Sequence, residues 1–225
     1  MSLIKMNLSR IKERIAAAAE RSGRTALDVT LVAVTKTRSL EEIDELKQAG
    51  VAVVGESRVQ ELAEKSAFLK ERFSVHFIGH LQTNKVKQAI RMADMIQSVD
   101  SLRLLSAIDT ACRAEGTVMP VLLQVNASQE VQKHGFEHDE LPEALAQATA
   151  MKNISVRGLM TMAMFTGEAE KIRNVFRSLR MTRETMLKMG FPLPGLSMGM
   201  SGDFEIAVEE GATMVRVGGA LFESE

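Results

Sequence analysis

Lys36 ends the run Val29-Thr30-Leu31-Val32-Ala33-Val34-Thr35-Lys36, whose β-branched and leucine content reads as a strand buried on both faces. In period-2 alternation Val32, Val34 and Lys36 share one face, so a strand lining the inside of a sheet delivers the amine to its own C-terminal rim. A partly desolvated amine there is a nucleophile that can form a Schiff base with a carbonyl, whereas a solvated one is a plain cation leaving a strand. Near the other end of the chain, Ser197-Met198-Gly199-Met200-Ser201-Gly202-Asp203 leads into a helix, and Gly218-Gly219 follows an apolar strand. Free N–H groups at such glycine-rich turns, with a serine hydroxyl beside them, can hold an anion such as phosphate. Arg216 stands among Met214, Val215 and Val217, and a guanidinium facing inward there needs an acceptor. That acceptor is either an internal carboxylate such as Glu56 or a heteroatom of a ligand. Amine, anion cup and arginine together describe a site for a phosphorylated aldehyde.

The elements that must position these groups follow from periodicity. Leu3, Ile4, Leu8, Ile11 and Ile15 lie at helical spacing and open the chain with a helix over 3–21. Strands are expected at 29–36, 51–54, 75–78, 95–99, 118–125, 154–162, 196–198 and 213–217. Helices are expected between them at 40–49, 58–72, 83–92, 101–115, 139–151, 168–189 and 203–210. Ser39-Leu40-Glu41-Glu42 has capping-box spacing, Asp100 reads as an N-cap, and Pro142 fits a first helical turn. The loop 126–138 is a candidate ligand loop. Alternating strands and helices point to a parallel sheet, and eight strands are what closes a barrel. The expected fold is α/β, a single (β/α)8 TIM-type barrel spanning 1–225 with an extra N-terminal helix, compact beside the usual length of about 250 residues. An open doubly wound sheet is disfavoured, because no Gly-x-Gly-x-x-Gly follows an early strand.

Composition narrows the function classes. A net charge of −1 with scattered signs gives no basic stripe for nucleic acid and no polybasic membrane patch. No apolar run long enough to span a membrane and no signal-peptide core is visible, so a cytoplasmic protein is expected. Cys112 lies at apolar helical spacing with Leu104, Leu105 and Ile108 and reads as a core thiol. The methionines at 160–164 and 198–200 read as flexible packing rather than a thioether metal set, and no metal site is expected.

The motifs Leu31-Val32-Ala33-Val34-Thr35-Lys36, Gly55-Glu56-Ser57-Arg58-Val59-Gln60-Glu61, His76-Phe77-Ile78-Gly79-His80-Leu81-Gln82-Thr83-Asn84-Lys85, Lys133-His134-Gly135, Gly158-Leu159-Met160-Thr161-Met162 and Val215-Arg216-Val217-Gly218 run nearly end to end. In them the chain resembles the pyridoxal phosphate homeostasis protein family, the YggS and PROSC group, whose fold matches the barrel domain of alanine racemase. The resemblance implies pyridoxal 5'-phosphate (PLP) as cofactor, with Lys36 as its Schiff-base lysine and Arg216 facing the pyridine nitrogen. It implies that Ser201, Gly218 and Gly219 hold the phosphate, and that Ser57 and Met198 belong to the same cofactor site. Two departures stand out: Ser57 replaces the family's usual asparagine, and Gly219 replaces a hydroxyl residue, so only its N–H is on offer.

An arginine beside the pyridine nitrogen disfavours its protonation and makes the ring a poorer electron sink. The alanine racemase pattern also uses a tyrosine base from a second domain, and this sequence has no tyrosine. The expectation is therefore a cofactor-holding protein in vitamin B6 homeostasis, monomeric, serving PLP-accepting apoenzymes and without expected turnover. One alternative is an amino-acid racemase-like enzyme using His80, Lys133 or His134 as base; His76 reads as a core residue and His138 as loop surface. A Schiff-base aldolase acting on a sugar phosphate is the other.

Overall fold

The structure is a computed structural model that describes residues 2–128, 134–163 and 167–223. Its strands are β1 (Thr30–Val34), β2 (Val53–Glu56), β3 (Ser74–Phe77), β4 (Met95–Val99), β5 (Met119–Gln124), β6 (Ile154–Met160), β7 (Gly195–Ser197) and β8 (Met214–Val217). They pair in sequence order, all parallel, and β8 returns to β1 to close the expected barrel. The helices are α1 (Leu3–Arg21), α2 (Leu40–Gln48), α3 (Val59–Lys70), α4 (Val86–Met92), α5 (Leu102–Glu115), α6 (Leu141–Ala150), α7 (Ala169–Lys188), α8 (Phe204–Glu209) and α9 (Gly219–Phe222).

Local chemistry sets these boundaries. The Ser39 hydroxyl accepts from Glu42 N while Glu42 accepts from Ser39 N, the reciprocal box that opens α2. Ser101, rather than the expected Asp100, caps α5, because its hydroxyl accepts from Leu104 N at 3.3 Å. Ile172, Val175, Phe176 and Leu179 give α7 one apolar stripe toward the barrel.

Ala33, Val54, Val75, Phe77, Ile96, Leu123, Leu159, Leu196 and Val215 point outward from their strands and join the helix faces in one apolar core. Residues of opposite parity fill the bore, where Val32 stands level with Arg216 and Gly55 with His76. α1 reaches back to the chain's end: Asn7 Nδ2 donates to Leu221 O at 3.2 Å and Glu223 O at 3.1 Å, bracing α9 from below.

Between β6 and β7 two backbones meet at glycines. Gly158 has φ of 145°, and a Cβ there would collide with the Gly195 carbonyl. Gly158→Ala should therefore lower unfolding free energy by about 2 to 4 kcal/mol, read from urea denaturation midpoints at an unchanged slope.

Candidate functional site

β1 ends at Val34, so Lys36 stands past the strand on the C-terminal rim. Its side chain is exposed, the solvated of the two alternatives, because the strand stops before the bore can enclose it. The backbone around it is held from behind. The Thr35 hydroxyl donates to Glu56 Oε1 at 2.7 Å, and Lys65 Nζ donates to both Thr35 O (2.9 Å) and Glu56 Oε1 (3.2 Å). Thr37 N donates to Glu61 Oε2 at 2.9 Å, and the Thr37 hydroxyl donates to Lys36 O at 2.6 Å. Thr37 has φ of 61°, an uncommon conformation for a β-branched residue, so strain sits beside the lysine. Among the described residues nothing engages the Lys36 amine.

Glu56 is fully buried, and among the described residues its Oε2 has no hydrogen-bond partner. Burial pushes its carboxyl above the usual carboxylate range, against the pull of the Thr35 hydroxyl and Lys65. It is not the partner of Arg216. Gly55 faces the bore, so Glu56 faces the other way, toward α3 and Lys65.

Arg216 lies inside the barrel, 4% exposed. It donates to Ser197 Oγ at 2.6 Å and to the Thr161 carbonyl at 2.8 Å. Ser197 donates in turn to Gln97 Oε1 at 2.6 Å, and Gln97 Nε2 lies 2.7 Å from His76 Nδ1. The direction of the chain is fixed at its source, because a guanidinium only donates. Ser197 accepts from it and, with Gln97 turned so that its oxygen faces the hydroxyl, donates onward; the Gln97 amide N–H then donates and His76 Nδ1 accepts. His76 is thus neutral with its proton on Nε2, and burial holds its pKa down at about 4. Burial also lowers Arg216, to about 10, with Asp203 opposing, so it stays cationic at neutral pH. Among the described residues two of the five guanidinium hydrogens are engaged, which leaves donors for a further acceptor.

The anion cup is built where the turns after β7 and β8 touch. Ser201 Oγ accepts from Gly218 N at 3.3 Å and from Ala220 N at 3.5 Å, both long, and the Gly219 N–H has no described acceptor. Gly199 has φ of 93°, and a Cβ there would meet Phe204 Cα at 2.9 Å, so the turn carrying Ser201 needs glycine. Gly199 O accepts from Arg216 N at 3.0 Å, lacing the two turns together. The Glu223 carboxylate, paired with Arg38 at 3.3 Å, lies beside Gly219. Ser57 is half-buried just past β2, with Gly79 packed on its backbone. Met198 has no exposed surface and sits in the apolar core, so it shapes the turn rather than presenting a side chain to a ligand.

Lys36, Ser57, Arg216, Gly218 and Ser201 thus come from the consecutive strands β7, β8, β1 and β2, on one arc of the rim. The donor set suits a phosphorylated aldehyde with a ring nitrogen: an open amine, loosely used N–H groups and a hydroxyl, and a guanidinium with spare donors. His80 and His134 lie on the other arc, after β3 and β5. Lys133 and Met164 lie outside the described residues. His138 is not loop surface: it is half-buried, with Nδ1 at 2.6 Å from the Thr182 hydroxyl of α7. Cys112 is a buried thiol, pushed up to about 11 by that burial, as a core residue should be. Gln97, Thr161 and Lys65 were not singled out by sequence; a glutamine in the middle of the apolar strand Met95–Val99 is the one signal that could have found any of them.

The alanine racemase N-terminal domain model matches residues 6–225. The pyridoxal phosphate homeostasis protein of Aquifex aeolicus is 42% identical, covering 96% of this chain and 95% of that relative. The protein of the same name in Pseudomonas aeruginosa is 38% identical, over 99% and 96%. Among solved structures, PipY of Synechococcus elongatus with PLP bound superposes with a TM-score of 0.82 at 33% identity, covering 95% of this chain and all of that one.

The neutral His76 gives a signed pH prediction. Its folded pKa of about 4 lies below the ordinary 6.5, so its stabilisation is present above pH 6.5 and lost as pH falls toward 4. The loss should reach about 3 kcal/mol. His76→Gln, which keeps an acceptor for Gln97 and does not titrate, should flatten that limb of a stability curve measured from pH 8 to pH 4.

Proposed function

The chain belongs to the pyridoxal phosphate homeostasis protein family, and from that premise we propose that residues 1–225 act as one unit that holds PLP reversibly through Lys36 and buffers it for vitamin B6 homeostasis. The observation that carries this reading is the single rim arc on which an unengaged amine, a cup of N–H donors and a buried guanidinium stand on three neighbouring strands. When bound, PLP supplies an aldehyde that condenses reversibly with a primary amine. Lys36 is the amine, and the grip of Glu56, Glu61 and Lys65 on Thr35 and Thr37 fixes its direction without burying it. Ser201 Oγ and the N–H groups of Gly218 and Gly219 would take the phosphate, in exchange for the long contacts they now make with one another. Ser57 borders the amine from β2, and Met198 supports the cup from the core.

Arg216 decides between holding and turnover. It carries donors only and stays cationic, so a ring nitrogen that faces it gains no proton from it. Strong withdrawal of electrons from a bound amino acid is thereby disfavoured. Within these 225 residues no tyrosine is available as the second base that a racemase of the related barrel fold uses. Relatives are named for homeostasis, and the same reading makes this chain a cytoplasmic monomer that serves apoenzymes rather than an amino-acid racemase. None of its described helices is long and apolar enough to cross a membrane.

The test is a visible absorption spectrum after incubation with PLP and removal of the excess. The parent should retain a band that Lys36→Ala lacks while keeping its far-ultraviolet dichroism, and neither should form D-alanine from L-alanine. Loss of the band from both, or D-alanine formation that Lys36→Ala abolishes, contradicts the reading.

A further inference from the structure

We propose that His80, Asp100 and His134 form a binding site for a divalent first-row transition ion of the zinc class, on the rim arc that the cofactor reading leaves unused. Three loops bring them together: His80 follows β3, Asp100 follows β4 and His134 lies in the segment after β5. One ligand atom from each lies within 4.8 Å of the others. His80 Nδ1 is 3.1 Å and His134 Nδ1 3.9 Å from the same oxygen, Asp100 Oδ2. The second distance is too long for a hydrogen bond, so His134 is aimed at an oxygen it does not bond. The rings are stacked, with centroids 4.4 Å apart and planes 21° from parallel. Two stacked rings facing one carboxylate leave a space that a single cation satisfies from three sides.

The dimensions agree. Bonds of about 2.0 to 2.1 Å at a tetrahedral centre separate ligand atoms by about 3.3 to 3.4 Å, between the two distances observed. Both rings are exposed, at 51% and 67%, so they are free to rotate toward that spacing from ligand atoms that all lie within 4.8 Å of one another. Each ligand is also braced from outside. The Ser101 hydroxyl holds Asp100 Oδ1 at 3.1 Å, leaving Oδ2 for the imidazoles. Gln124 Nε2 donates to the His134 carbonyl at 2.8 Å, and Ser98 donates to the carbonyl of Gly79, next to His80. Two imidazoles and a carboxylate suit cobalt, nickel or zinc better than calcium or magnesium, which prefer oxygen ligands. Three protein ligands leave a fourth position for water, and His80 and Asp100 also line an open depression together with Gln82, Asn84 and Arg103.

The site stands apart from the cofactor reading but is joined to it mechanically: Gly79, next to His80, packs directly on the backbone of Ser57. An ion here would tie the ends of β3, β4 and β5 together and stiffen the contact against Ser57. The test titrates the full chain, free of any affinity tag and of added PLP, with zinc by calorimetry and with cobalt by visible absorption. The parent should take up a single zinc ion and develop a cobalt ligand-field band. Removing an outer-shell partner alone weakens metal binding about 10- to 100-fold, so His80→Ala and His134→Ala should each weaken zinc by about 100-fold or more. Asp100→Asn, which keeps the side chain's size, should weaken it as well, and His138→Ala should change nothing. A parent that takes up no stoichiometric zinc overturns the proposal, and so does binding that survives in both histidine variants.

Discussion

A guanidinium in the middle of a barrel can only donate, and much of the bore is arranged to receive what Arg216 gives. Its acceptors come from β7 and from the residue just beyond β6, and the chain continues through Ser197 to Gln97 on β4 and His76 on β3. The Ser197–Gln97 bond crosses the bore, since β4 and β7 are not neighbours in the sheet. Where barrel interiors of this class are usually filled by branched apolar side chains, this one has a polar layer whose proton positions are determined from one end. An apolar layer of the same volume would fold as well or better. The polar one makes sense if the open part of the guanidinium fork is needed at the rim.

At the rim the division of labour follows strand order. β7, β8 and β1 carry the amine, the arginine and the anion cup, with Ser57 beside them after β2, and β3, β4 and β5 carry the histidine–aspartate cluster. The amine is kept in solvent while the backbone on both sides of it is fixed through Glu56, Lys65 and Glu61. That combination suits a group that must meet and release a small aldehyde, since its direction is set and its approach is open. The strained Thr37 is part of the same arrangement, held by its own hydroxyl and by Glu61. Below, α1 closes the design by bracing the segment that follows Gly218 and Gly219.

Much of this was legible in the sequence because the strands are short apolar runs punctuated by glycine and capping residues. The helix over Leu3–Arg21 and the strand Met95–Val99 emerge with the expected ends, and closure of the barrel follows from the number of strands. What was lost was direction. By sequence Glu56 is a reasonable partner for Arg216, but Gly55 faces the bore, which sends the next side chain outward. Asp100 looked like a cap, but Ser101 makes the bond and frees the aspartate for the histidines. His138 looked like loop surface because nothing local announces its contact with Thr182. The chain from Arg216 to His76 joins residues far apart in sequence, and only the closed barrel makes them neighbours. Of the candidate cofactor residues, Lys36, Ser57, Ser201, Arg216 and Gly218 gather on one arc, while Met198 lies behind the turn that carries Ser201.

The claim on which the account rests is that Lys36, and no other lysine, is the amine that takes the cofactor. Borohydride reduction of the protein saturated with PLP, followed by peptide mass mapping, tests it directly. The account predicts the reduced adduct on the peptide that contains Lys36 and on no other at stoichiometric yield; an adduct on Lys65 or elsewhere, or none at all, would contradict it.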